Sequence, residues 1–540
     1  MSWGYLEDAS GFTGNADRIC VPNDETELRN LLAEAGKQHA PITIAGGGSG
    51  LTGGRVPLGG WVVSMEKFRR LDVHQGSATV GAGVTLQDLQ AAAKMAGQFY
   101  PPDPTETLAF LGGTIACNSS GARSFMYGAT RRWLNRLRVV LLDGQVLDVR
   151  RGEPIDFDVP LIPQPASRKH SCGYPLRPGM DWIDLFTGSE GTLGFVVEAE
   201  VRLLPNPAGL LNGVVFFPSD ELALDALDAW RGVAALRMLE YIDGAALRMV
   251  EARYPGVPGN GQAALIVEQI VESGGEIDAW LDRLLSAQAL ESDSWFGSSD
   301  ADRERFRKFR HSLAETHGDI SRRNGFPTLG TDFSVPIAES RKMLAYYREH
   351  MDRIMPGHYC IFGHLGDGHP HVNMLPATET EFRAGAEVME VFARQSVALG
   401  GSVAAEHGLG KRKAKLLKIQ YSTEHIEAMK RVKLRFDPEW RQGRGTIFEL
   451  PPTRGAASIL DSWLKKTRST NGSPISISFR NDARSFCGQP RHLLDRCGRR
   501  RRNAAGNSGT RDSAHRLWGE QGASCEPDAR SRPAHRPQPY

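Results

Sequence analysis

The chain has 540 residues, long enough for two or three domains, and its 40% hydrophobic and 24% charged content is that of a water-soluble globular protein. The formal net charge is +2, but residues 451–540 hold 17 Lys and Arg against 7 Asp and Glu, whereas residues 1–450 hold 48 against 56. The main body is therefore mildly acidic, which argues against nucleic-acid binding, and no run approaches 18 apolar residues, so no transmembrane segment is expected.

Residues 1–8 carry neither a basic nor an apolar leader region, which points to a cytoplasmic protein. The first predicted element is a helix over 24–38, with Leu28, Leu31, Leu32 and Ala35 on one face and Asn23 or Asp24 as its cap. A strand follows at 42–44, then a glycine-dense loop, then strands at 61–65 and 78–80. The spacing predicts a helix over 86–96 capped by Thr85, and strands at 137–142 and 195–204. The texture changes near 207. Strands at 214–217, 238–242, 264–268 and 331–335 alternate with helices at 219–231, 276–289 and 337–353. Two more strands, 358–364 and 371–375, precede a helix over about 380–399. This pattern gives an α+β fold with antiparallel sheet and helices. After Phe448 the pattern stops. Residues 451–540, rich in Arg, Ser, Gly and Pro, read as a disordered tail or as the product of a shifted frame.

Seven cysteines occur, at 20, 117, 172, 360, 487, 497 and 525, and none are in C-x-x-C spacing. They supply neither a ferredoxin-type cluster run nor a disulfide framework.

Three segments expose backbone. Gly46, Gly47, Gly48, Ser49 and Gly50 precede Leu51, Thr52, Gly53 and Gly54. The G-x-G-x-x-G match within them is followed by Pro57 and a strand, so no helix opens there and a Rossmann site is excluded. A nest of N–H groups for a pyrophosphate remains, with a plain surface loop as the competing reading. The second segment runs from Pro102, Asp103 and Thr105 through Gly112, Gly113 and Thr114 to Asn118, Ser119 and Gly121. The third holds Glu190, Gly191 and Gly194. Three such loops can line one extended ligand.

Near position 400 the residue types change. Gly363-His364-Leu365-Gly366-Asp367-Gly368-His369-Pro370-His371-Val372-Asn373 places His364 and His371 seven apart around an Asp-Gly turn, and Glu406-His407 follows. Imidazole and carboxylate suit zinc and similar divalent metals, and three protein ligands with one open position is the catalytic pattern. A polar loop is the bland alternative.

Together these segments resemble the FAD-linked oxidase family of the vanillyl-alcohol oxidase superfamily, and within it the glycolate oxidase flavoprotein subunits and the D-lactate and D-2-hydroxyglutarate dehydrogenases. The resemblance covers about 15–450 and rests on five motifs in the family's order. It implies a two-subdomain FAD-binding domain at 17–206 and a substrate-capping α+β domain at 207–450. Gly46 to Gly50, Gly53 and Gly54 would cradle the FAD pyrophosphate. Pro102 to Thr105, Gly112 to Thr114, Asn118 to Gly121 and Glu190 to Gly194 would line the rest. These loops lack the histidine that covalent members use, which implies non-covalent FAD. His364, His371 and Glu406 match the relatives' metal ligands, His407 the residue beside the substrate hydroxyl, and Asn373 and Arg310 substrate-contacting positions. The chain departs from the family at Gly368-His369-Pro370-His371, where Gly-Asn-Leu-His is usual, and at Gly443-Arg444-Gly445. It also has Gly330 where 2-hydroxyglutarate enzymes place a lysine.

The expected reaction is oxidation of a small D-2-hydroxy acid to the 2-oxo acid with hydride passing to flavin. Electrons would leave to an external acceptor or an iron–sulfur partner subunit, with any membrane association at the inner membrane and through that partner. The rivals are an O₂-reducing oxidase, a non-redox flavoprotein transferase of the alkylglycerone-phosphate synthase type, and a flavin-free metal hydrolase or binding protein.

Overall fold

The computed structural model describes residues 3–272 and 274–450; the tail at 451–540 lies outside the described residues. Helix Glu25–Lys37 is capped by Asp24, whose side chain accepts from the Glu27 N–H at 2.8 Å, so Asp24 and not Asn23 is the cap. Leu28, Leu32 and Ala35 are buried against a three-stranded parallel sheet in the order Arg18–Cys20, Trp61–Ser64, Ile42–Ala45. Each buried leucine there is worth roughly 1.5–3 kcal/mol. The glycine loop leaves the end of Ile42–Ala45, and no helix opens in it.

A five-stranded antiparallel sheet follows, ordered Leu71–His74, Ser77–Gly81, Phe195–Arg202, Leu134–Val140, Val146–Arg150. Helix Leu86–Met95, capped by Thr85 as the sequence predicts, packs beside it through Leu86, Leu89 and Ala93.

The largest sheet has seven strands, all antiparallel, in the order Trp295–Gly297, Gly209–Phe217, Ala263–Val271, Leu236–Asp243, Tyr359–His364, His369–Met374, Leu329–Gly330. Its strands are apolar on both faces because helices cover both. Val215, Phe217, Leu239, Leu265, Val267 and Ile361 face helices Asp220–Trp230, Gly275–Ser286, Ser340–Ile354 and Glu379–Ala398. Val214, Phe216, Ile242, Ile266 and Cys360 face helices Gly244–Val250 and Asp300–Asn324.

Two corrections matter for the site. The expected strand at 331–335 pairs only through Leu329–Gly330; beyond it the extended chain leaves the ladder and bridges Ser402 from Ser334. Its side chains are spent elsewhere, as Thr331 and Asp332 bind residues 372 and 406–407. Gly112, Gly113 and Thr114, read as loop, lie in helix Leu111–Cys117, where Gly112 meets Ala82 too closely for a side chain. The long helix Asp300–Asn324 was not expected at all. Its apolar stripe is Phe306, Phe309 and Leu313 in a sequence otherwise dominated by charge, and a capping box at Ser299 and Asp302 starts it.

Candidate active site

The seven-stranded sheet fixes the geometry by alternation. His364 lies opposite His369 across the hairpin, and His371 lies opposite Phe362, so all three histidines project from one face. Tyr241 pairs with Gly363, which sets Glu240 one step on, beside His364 on that same face. Gly363 has φ +126°, and a Cβ there would sit 2.5 Å from the His371 ring. Glycine is what admits that ring.

Four side chains converge. Ligand atoms of His364, His369, His371 and Glu406 lie within 4.8 Å of one another. His364 Nδ1 is 2.7 Å from Glu240, and its Nε2 is 3.3 Å from Glu406 Oε2. His371 Nδ1 lies 2.8 Å from the Thr331 carbonyl. His369 Nε2 is 3.3 Å from Asp332 Oδ1, and its Nδ1 is 3.9 Å from Glu406 Oε2, yet neither nitrogen makes a hydrogen bond. Glu406 Oε1 accepts from the Gly121 N–H at 2.8 Å, from Lys169 at 2.8 Å, and from the Ser120 hydroxyl.

Burial and charge set the protonation. Burial alone would push Glu406 up, but Lys169 and His364 hold it well below the usual carboxylate range. Asp332 is also buried, yet His407 and Lys413 keep it ionised. Burial pushes His369 down to about 4 and His371 well below the ordinary imidazole value, so both are neutral at pH 7. For His364, burial and Lys169 oppose the charge, but Glu406 and Glu240 prevail and raise it.

A cavity of about 130 Å³ opens on this cluster, lined by His364, His371, Glu406, His407, Arg310 and Thr105 among others. The His407 N–H donates to Asp332 Oδ2 at 3.1 Å, and the His407 ring lies 6.0 Å from that of His371, nearly parallel to it. Arg310 is already bidentate on Glu240 and reaches Thr105 at 3.2 Å. It enters the site as half of an ion pair rather than as a free cation. Asn373 shares the histidines' face of the strand but does not line the cavity.

The glycine loops gather on the other side. Gly47 lies against the Leu108 carbonyl and the Phe110 ring, Gly191 against Ile44, and Glu190 donates its N–H to Ala116. The segment after His407 straps across the first loop, since Lys411 and Arg412 N–H groups both donate to the Thr52 carbonyl.

Family profiles match this chain twice: "FAD binding domain" over residues 16–150 and "FAD linked oxidases, C-terminal domain" over residues 207–447. A glycolate oxidase subunit GlcD from Bacillus subtilis is 30% identical over 463 residues, covering 82% of this chain and 92% of that one. The chain belongs to the FAD-linked oxidase family. A D-lactate dehydrogenase of Archaeoglobus fulgidus is 31% identical, with 78% of this chain and 89% of that one covered. A D-2-hydroxyglutarate dehydrogenase of Xanthomonas citri is 29% identical, with 81% and 90% covered. Among solved structures, an alkyldihydroxyacetonephosphate synthase superposes with a TM-score of 0.58 at 17% identity, over 79% of this chain and 76% of that one, a likeness of fold. The fold of this FAD-linked oxidase is thus of the vanillyl-alcohol oxidase type.

The first loop of this FAD-linked oxidase fits a pyrophosphate. Arg55 takes the Gly46 carbonyl and Lys411 takes those of Gly53 and Gly54, which turns carbonyls away. Among the described residues, the N–H groups of Gly46, Gly47, Gly48, Ser49 and Gly50 donate to nothing. A Cβ on Gly46, Gly54 or Gly113 would enter open space. Other expected flavin-lining residues are also held by close packing. A Cβ on Gly121 would lie 2.0 Å from the Asp103 carbonyl, one on Gly194 would lie 2.7 Å from Val139, and one on Gly53 would strike Phe12. Asn118 caps a helix in the left-handed region and accepts the Arg131 N–H at 3.0 Å.

Sequence reasoning missed Glu240, Lys169, Asp332 and Lys413, and gave Ser120 only to the flavin-lining segment. Glu240 carried a usable signal, a lone acid inside the apolar run Leu239-Glu240-Tyr241-Ile242. Lys169 sits in an aperiodic loop and carried none.

Proposed function

We propose that this chain oxidises a small D-2-hydroxy acid of the glycolate or D-lactate type to the 2-oxo acid. Residues 17–206 would hold FAD without a covalent bond, and residues 207–450 would form the cap that holds a divalent metal, zinc or similar. The observation that carries this reading is the convergence of His364, His371 and Glu406 on one cavity with His407 and the flavin-side Thr105. The donor set is imidazole, held neutral at His371, with an ionised carboxylate, which suits such a cation. When bound, FAD supplies the two-electron acceptor and the cation the Lewis acid that grips hydroxyl and carboxylate.

The chain's own residues do the rest. His407 accepts the hydroxyl proton. Its Nδ1 lies 3.6 Å from Asp332, which orients the ring and stabilises the imidazolium that results. Lys413, 2.7 Å from Asp332, keeps that carboxylate ionised. The Arg310–Glu240 pair borders the cavity, so a substrate carboxylate would share the guanidinium and not own it. The 130 Å³ of space suits a short acid. Gly330 in place of a lysine removes the cation that a second carboxylate would want. Electrons then leave to an external acceptor or an iron–sulfur partner subunit. Among the described residues no helix is long and apolar enough to cross a membrane.

Anaerobic bleaching of the flavin by a panel of D- and L-2-hydroxy acids tests the reading. Short D-acids should bleach it, and a flavin that no hydroxy acid reduces would point to the non-redox alternative. Rapid peroxide formation in air would instead mark an oxidase. Acid precipitation should release all the yellow colour, and flavin left in the pellet would overturn the non-covalent claim.

A further inference from the structure

We infer that His369 is a fourth protein ligand to the cation, so that the site is built of three histidines and one glutamate. The inference rests on the metal-assisted reading above and adds a residue that the three-ligand pattern lacks. Its basis is a shared arrangement. Each of the three histidines has one ring nitrogen set against an acceptor and the other turned inward. For His364 the backing acceptor is Glu240 at 2.7 Å, for His371 the Thr331 carbonyl at 2.8 Å, and for His369 the Asp332 carboxylate at 3.3 Å. Ligating histidines are characteristically fixed this way, with the outer nitrogen on a carboxylate or carbonyl. His364 Nε2 and His369 Nδ1 both face the same Glu406 oxygen, at 3.3 and 3.9 Å.

His369 is the most demanding of the three. It is fully buried, and its inward nitrogen, Nδ1, has no hydrogen-bond partner. Burying an unmet polar atom costs free energy. The hairpin also explains why the histidine reaches: it opens the strand His369–Met374 directly opposite His364, and Pro370 fixes the backbone between the two histidines that follow the turn.

Four protein ligands change what the cation can do. A tetrahedral zinc would be closed. A hydroxy acid that chelates through hydroxyl and carboxylate needs two further positions, so the site favours a first-row ion that accepts six ligands.

The test uses the full-length flavoprotein, stripped of metal and titrated with Co²⁺ against a chromophoric chelator. His369→Asn and His369→Gln should each weaken Co²⁺ binding by at least about 10-fold and alter its visible absorption band, with flavin content unchanged. His371→Ala serves as the reference ligand loss. If the His369 variants keep wild-type affinity and absorption while His371→Ala loses both, the fourth-ligand inference falls and the three-ligand site stands. Should the wild type take up no Co²⁺, the metal reading falls and the inference with it.

Discussion

The flavin loops and the cap site solve opposite problems with opposite materials. The loops present backbone: five successive N–H groups over Gly46 to Gly50, carbonyls turned aside by Arg55 and Lys411, and glycines with open space where a side chain would be. The cap presents side chains: Glu406, Glu240, Asp332, three histidines, Lys169 and Lys413, almost all buried and each charge matched by another. A backbone cradle is specified by what is missing, so a single added Cβ breaks it. A charged cluster is specified by pairing, so removing one member strands its partner.

The largest expected effect tests the first half of that contrast. Gly121→Val places a Cβ on the Asp103 carbonyl at a φ of +96°, and it displaces the N–H that holds Glu406. A destabilisation of at least about 4 kcal/mol is expected, with loss of bound flavin. Thermal melting and the flavin-to-protein absorbance ratio measure it, and a variant that melts like wild type would refute the packing role.

Glu240→Ala tests the second half. It leaves the Arg310 guanidinium and His364 Nδ1 without their carboxylate. Breaking such a buried pair costs about 3–5 kcal/mol in chemical denaturation, without loss of flavin from the distant glycine loop. A midpoint within experimental error of wild type would mean that water or Thr105 replaces the pair.

His407→Ala separates chemistry from binding. Turnover should fall by roughly 10²–10⁴-fold, the usual cost of a lost general base, while Co²⁺ uptake and the flavin spectrum stay unchanged. Loss of the cation instead would move His407 from proton acceptor to ligand.

The smallest effect concerns Glu190, whose carboxylate accepts the Leu409 and Gly410 N–H groups at 2.8 and 2.6 Å. Burial pushes it from 4.5 up to about 7, against those donors and against Lys413 and Lys411. The folded protein therefore holds this proton more tightly than the unfolded chain. Its stabilising contribution is complete below pH 4.5 and is lost as pH rises through about 7. Melting temperature should decline across that window in wild type and decline less in Glu190→Gln. Parallel profiles for the two proteins would show that Glu190 does not titrate there.

The same contrast explains what could be read without coordinates. Amphipathic helices such as Glu25–Lys37 follow from periodicity, because each buries one defined face, whereas the motif strands Tyr359–His364 and His369–Met374 are buried on both. Helix Asp300–Asn324 hid behind its charges, with an apolar stripe only three residues long. Glycine density marked the backbone-exposing loops but could not say which glycines border open space. Gly46 and Gly113 border open space, whereas Gly112 and Gly194 are merely squeezed by Ala82 and Val139. In the cap, His364, His371 and Glu406 were legible by residue type. Their partners Lys169, Glu240 and Asp332 come from more than 70 residues away in sequence or from loops without a period, and only folding brings them in.

Glu406 divides its two oxygens between the halves of the molecule. Oε1 is committed to Ser120, Gly121 and Lys169 on the flavin side, and Oε2 faces His364 and His369 in the cap. One carboxylate thus joins the two halves, and whatever pulls on one oxygen is felt at the other. By thermodynamic reciprocity, any tightening of the cation that flavin causes must be returned by the cation to the flavin in equal factor. If the cap holds a cation as proposed, a protein loaded with only one of the two would be an intermediate in assembly whose affinity for the second already reflects the first.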